Sequence, residues 1–192
     1  MKTRFMIIMA AMAFVFTSCG NNNTCTNNAG QAQEAPAALE IDQVLASADT
    51  LVNQEITMEG ICTHTCKHGA TKIFMMGSDD TKTIRVEAAS LGSFDQKCIN
   101  NIVRVKGILR EERVDEAYLQ RWEASVAAST AEQHGDGEAG CDTEKAARGE
   151  TGNTVEERIA DFRQKIAARK EATGKDYLSF YFVEALAYEV VE

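Results

Sequence analysis

The amino-acid sequence predicts a mainly β protein with helices: a five-stranded Greek-key barrel, preceded by a short helix and carrying a helical hairpin between its fourth and fifth strands. Three observations lead there. Four runs of alternating apolar residues, EITMEGIC, TKIFMMG, TIRVEA and NIVRVKGIL, succeed one another between residues 55 and 109 with turn signals between them. A fifth run, YLSFYFVEALAYEVV at residues 177–191, is rich in the aromatic and β-branched residues that suit strands, and it stands far from the others. Between them, residues 113–174 space their apolar side chains as helices do.

Taken in chain order, Lys2 and Arg4 precede an apolar run from Phe5 to Phe16 that stops at Cys19. That is the pattern of a secretory signal, and it is too short for a spanning helix of about 20 residues. The Thr17-Ser18-Cys19 junction resembles a bacterial lipobox, with Phe16 where Leu is usual. Residues 1–18 are therefore expected to be a lipoprotein signal peptide and Cys19 the lipidated N-terminus; cleavage without lipid is the alternative. Residues 19–38 are polar, contain Pro36, the only proline, and read as a flexible tether. Losing the leader removes two positive charges and leaves 174 residues with a net charge of −11 instead of −9. With no cluster of Lys and Arg, nucleic acid is not an expected partner. An acidic surface also repels anionic lipid heads, so attachment to the membrane should come from the acyl chains alone.

Residues 39–192 form the expected domain, about the usual size for one core. Residues 41–51 read as an amphipathic helix with Ile41, Val44, Leu45 and Leu51 on one side. The first three strand runs make a meander, with GSDDT as the second turn, and SFDQKCIN is a helical turn. In the fourth strand Val103, Val105 and Leu109 face one way and Arg104 and Lys106 the other. Val114, Tyr118, Trp122 and Val126 recur every fourth residue in one helix; Val155, Ile159, Phe162 and Ile166 mark the next, opened by a Thr154/Glu157 capping box and closed by Gly174. Residues 130–153 are poor in apolar side chains and rich in Gly, which predicts a mobile loop. This strand order is that of an oligonucleotide/oligosaccharide-binding (OB) barrel, and Gly60 and Gly107 fall where a small barrel must bend.

The stretch GICTHTCKHG, residues 60–69, gathers two of the six cysteines and two of the three histidines. On a regular strand Cys62, His64, Cys66 and His68 would share one face. Four ligands spread over roughly 20 Å cannot close on one ion, so a bend is required if they bind zinc or copper(I). A hairpin turn at Gly69-Ala70 would set Met75 or Met76 opposite His64, and Cys98 is a further possible ligand; sulfur ligands of both kinds favour copper(I). A Cys62–Cys66 disulfide, and plain burial of the cysteines and methionines, are the competing readings. His134, Asp136, Glu138, Cys141 and Asp142 could attract an ion, although an acidic loop is usually only solvated.

Residues from about 40 to 192, through GICTHTCKHG, KIFMMGSDDTKTIRVEA and YFVEALAYEV, resemble a group of OB-fold lipoproteins of Bacteroidota. The resemblance implies an exported, membrane-anchored β-barrel on the periplasmic or cell-surface side of a Gram-negative envelope, and no particular activity. No nucleophile elbow, phosphate loop, HExxH or CxxC motif is present, and Asp79 and Asp80 fit turn chemistry. The expected function is thus non-catalytic binding, with zinc or copper(I) at the Cys/His motif. A periplasmic thiol/disulfide redox protein and a barrel that binds a partner or glycan without metal are the alternatives.

Overall fold

The computed structural model describes residues 37–66, 69–132 and 142–191. The signal peptide, Cys19, His68, His134, Asp136, Glu138 and Cys141 lie outside them. Five strands close a barrel: β2 (Glu55–Thr65), β3 (Lys72–Met76), β4 (Thr83–Glu87), β5 (Ile102–Val114) and β6 (Leu178–Val191). The order around it is β2-β3-β4-β6-β5 and back to β2, all neighbours antiparallel except β4 and β6, which run parallel. This is an OB-fold-like barrel, mixed and closed, as the order of strand signals predicts. A two-residue strand, β1 (Leu39–Glu40), adds parallel to β2 and was not expected.

Alternation decides the core. Met58, Ile73, Met75, Ile84, Val86, Val103, Val105, Leu109 and Val183 point inward and are fully or almost fully buried. The expected helix at 41–51 is two pieces, α1 (Ile41–Ala46) and α2 (Ala48–Leu51), broken at Ser47. Ile41 and Val44 close over the barrel, and the bare Cα of Gly60 makes room for the Ile41 side chain. Gly107 sits at a bulge where the register with β6 shifts; a Cβ there would strike the Glu184 carbonyl and the Val183 side chain. The helical turn before β5 is a 3-10 turn, Gln96–Cys98.

The far halves of β5 and β6 extend past β2 as a two-stranded ribbon ending at the pair Val114–Leu178. From it rises the insertion: α3 (Glu116–Glu132), α4 (Asp142–Ala147) and α5 (Val155–Thr173). Val114 belongs to β5, not to the helix its spacing suggested, yet it packs with Leu119, Ile159 and Phe162 in a second core. Thr154 and Glu157 form the predicted capping box, and Gly174 ends α5 at φ 75°. Helix α4 replaces part of the expected loop, because Glu144 ties it to Lys72 and Arg85 of the barrel. No helix among the described residues is long and apolar enough to cross a membrane.

Candidate functional site

The cysteine motif lies where β2 outruns its partner β5. Ile61 still pairs with Ile102, but the Cys62 N–H donates to the Asn101 carbonyl at 3.0 Å, and the Asn100 N–H donates to the Cys62 carbonyl at 2.7 Å. On the other side Cys62 pairs with Met75 and His64 with Phe74, so Thr63 is an extra residue, a bulge. One extra residue inverts the alternation beyond it. Ile56, Met58 and Cys62 are buried before the bulge, and Thr65 after it. The expectation that Cys62 and His64 share a face is thereby corrected. Cys62 points into the barrel, whereas His64 and Cys66, by strand alternation, lie on the outer face.

The inner group is Cys62, Met75 and Cys98, each fully buried in the one core. Met75 therefore faces Cys62, not His64, because the hairpin end pairs Thr65 with Ile73 and the bulge at Thr63 shifts the register by one further residue. Both cysteines are free thiols. The Cys62 thiol donates weakly to the His64 carbonyl at 3.7 Å. Burial first, and the neighbouring Cys98 second, push it up to about 11. Burial likewise raises Cys98, with Asp95 adding to the effect. Thr65 Oγ1, buried on the same side, makes no well-formed hydrogen bond.

The outer group is His64 and Cys66. The imidazole tilts against Phe74 with ring centres 5.9 Å apart, and its Nε2 is buried without a hydrogen-bond partner. Cys66 continues the ladder one step beyond the strand, its N–H donating to the Lys72 carbonyl at 2.9 Å. Lys72 and Arg85, on the same outer side of the sheet, reach Glu144 of α4 at 3.4 and 2.7 Å. Burial would raise the Glu144 carboxyl, but the charges of Lys72 and Arg85 outweigh it and hold the group below its usual range.

Met76 pairs with Ile61 and Thr83 at the other end of β3, away from His64. His68 is outside the described residues, and among those described no three His, Cys, Asp or Glu side chains converge as a metal cluster. Asp79 accepts hydrogen bonds from the Thr81 N–H and hydroxyl, the turn role expected of it. The contribution of Phe74, Arg85 and Glu144 to the outer face left no local mark in the sequence. A cleft of about 290 Å³ runs between α4 and the sheet, lined by Phe74, Thr83, Arg85, Glu144, Arg148 and Tyr181. Compared with protein-family models, curated proteins and solved structures the chain matches none, so the chemistry of this hairpin end rests on its own residues.

Proposed function

We propose that the protein is an exported, lipid-anchored barrel of non-catalytic, binding type whose hairpin end holds one zinc or copper(I) ion through His64 and Cys66. The observation that carries the reading is the His64 Nε2 atom, buried and unpartnered on the strand face that Cys66 shares. Leaving such a group unsatisfied costs about 1–3 kcal/mol, which a ligand would offset. Residues two apart on one face are about 6.6 Å apart along the strand. Imidazole and thiolate arms leaning together span that gap at ligand distances of about 2.0–2.3 Å. His68 is the sequence's candidate for a third ligand. Both described ligands must be deprotonated to bind, so affinity falls as pH is lowered.

Metal analysis of protein purified without a histidine tag tests the reading. One equivalent of Zn²⁺ or Cu⁺ is expected, lost in His64→Ala and Cys66→Ser and kept in Cys62→Ser and Cys98→Ser. Less than about a tenth of an equivalent after reconstitution, the level of adventitious ion, would overturn it. So would a site lost in Cys62→Ser but kept in Cys66→Ser.

A further inference from the structure

We infer that Cys62 and Cys98 are a disulfide-forming pair that ties the end of β2 to the 3-10 turn before β5. The geometry is specific. Cys98 accepts a hydrogen bond from the Asn101 N–H at 3.1 Å through its carbonyl, and the Asn101 carbonyl in turn accepts from the Cys62 N–H at 3.0 Å. One short backbone relay thus holds the two residues side by side. Both side chains are fully buried in the same cluster. The obvious sequence pairing, Cys62 with Cys66, is set aside by the bulge at Thr63, which sends Cys66 to the opposite face.

The chemistry is thiol–disulfide exchange with a disulfide-bearing oxidant, R–S–S–R. The first thiol loses its proton and attacks one oxidant sulfur, releasing R–SH and leaving a mixed disulfide. The second thiolate displaces the remaining R–S⁻, so two protons and two electrons leave the cysteines and two R–SH leave the oxidant. In the closed barrel neither thiol is exposed to an oxidant, so exchange there is slow. The bridge forms before the barrel closes. It encloses the loop from 62 to 98, which holds the whole β3–β4 hairpin, and closing a loop of about 37 residues should raise the melting midpoint by about 10 °C.

This inference is independent of the metal reading except that both suit an exported chain. The test is the full-length protein exported in a Gram-negative host, with thiols blocked by N-ethylmaleimide under acid quench and peptides analysed by mass spectrometry. The expected result is a Cys62–Cys98 cross-link present in wild type and Cys66→Ser and absent in Cys98→Ala, and a melting midpoint that a reductant which does not bind metal lowers in wild type and Cys66→Ser but not in Cys98→Ala. If the protein stays in the cytosol, the export reading fails, and the same protein is unfolded and refolded with oxidised glutathione. The cross-link must then form. Both cysteines fully alkylated after either treatment, or Cys62 linked to Cys66, overturns the pair. Unchanged Zn²⁺ or Cu⁺ binding by the cross-linked protein is expected, and its loss on cross-linking would also count against the assignment to opposite faces.

Discussion

Thr63 is the surplus residue of β2, and its deletion should leave Cys62 and Thr65 facing in and His64 facing out on a ladder without a bulge. The expected melting midpoint is within a few degrees of wild type, by the roughly 2–4 °C per kcal/mol typical of this size. Deleting Thr57, where β2 is paired on β5 without interruption, inverts the faces of half the strand and should abolish folding. Thermal melts of the two deletions decide the point. The buried thiols make a second expectation. Because the folded Cys62 value of about 11 lies above the ordinary 9.0, the folded state keeps a proton that the unfolded chain loses between those values. Stability is therefore fully present below about pH 9 and falls as pH rises towards 11. Melting curves of reduced protein should show that loss, and Cys62→Ala should flatten it. Identical slopes would mean that the thiol is not held neutral.

At the scale of elements, α4 is attached to the barrel by charge more than by apolar burial. Glu144→Gln should cost about 2 kcal/mol, since it removes the carboxylate that Lys72 and Arg85 share and leaves Arg85 only its longer contacts to Glu87 and Glu112. Because the folded carboxyl lies below the ordinary 4.5, its contribution is present above that pH and is lost as pH falls through the lower folded value. Hydrogen-exchange protection over residues 142–147, relative to the intrinsic rate at each pH, should fall under acid conditions in wild type and already at neutral pH in the variant. Equal protection in both would show that α4 is held by something else. The same elements show what a sequence makes legible. Strands β2 to β6 were readable from alternation, and α5 from its cap residues, because those signals are local. Helix α4 was not, because its few apolar residues say nothing of two distant cations. The bulge was equally hidden. In CTHTC each threonine suits a strand, and the register depends on the 67–71 connection and on where β5 stops pairing. Of the expected metal set, Cys62 therefore lies on the opposite face from His64 and Cys66, while Val114, expected in a helix, still marks the correct cluster.

For the whole molecule, the barrel and the insertion have separate cores, joined at the β5–β6 ribbon. Val114 and Leu178 are paired across it, so the insertion leaves and returns at one point. Replacing residues 115–177 with Asn-Gly, which favours a tight hairpin turn, should leave a folded barrel, provided Phe74 and Phe180 are changed to Thr to blunt the face so exposed. A cooperative melt and native near-ultraviolet dichroism are the expected outcome. A molten or aggregated product would show that the insertion is required for closure.

The position of β6 also sets a clock. Among the described residues it is the only strand that follows the insertion, and it fills the gap between β4 and β5, parallel to one and antiparallel to the other. A ribosome delivers the first four barrel strands and the described insertion helices α3, α4 and α5 before residues 178–191 emerge. Until then two sheet edges stand open, and the inner faces of β4 and β5 have no lasting partner. Such a chain cannot close its barrel until its last strand has been made. If delivery of the last strand is delayed, the same open edges are where a second unfinished copy would pair.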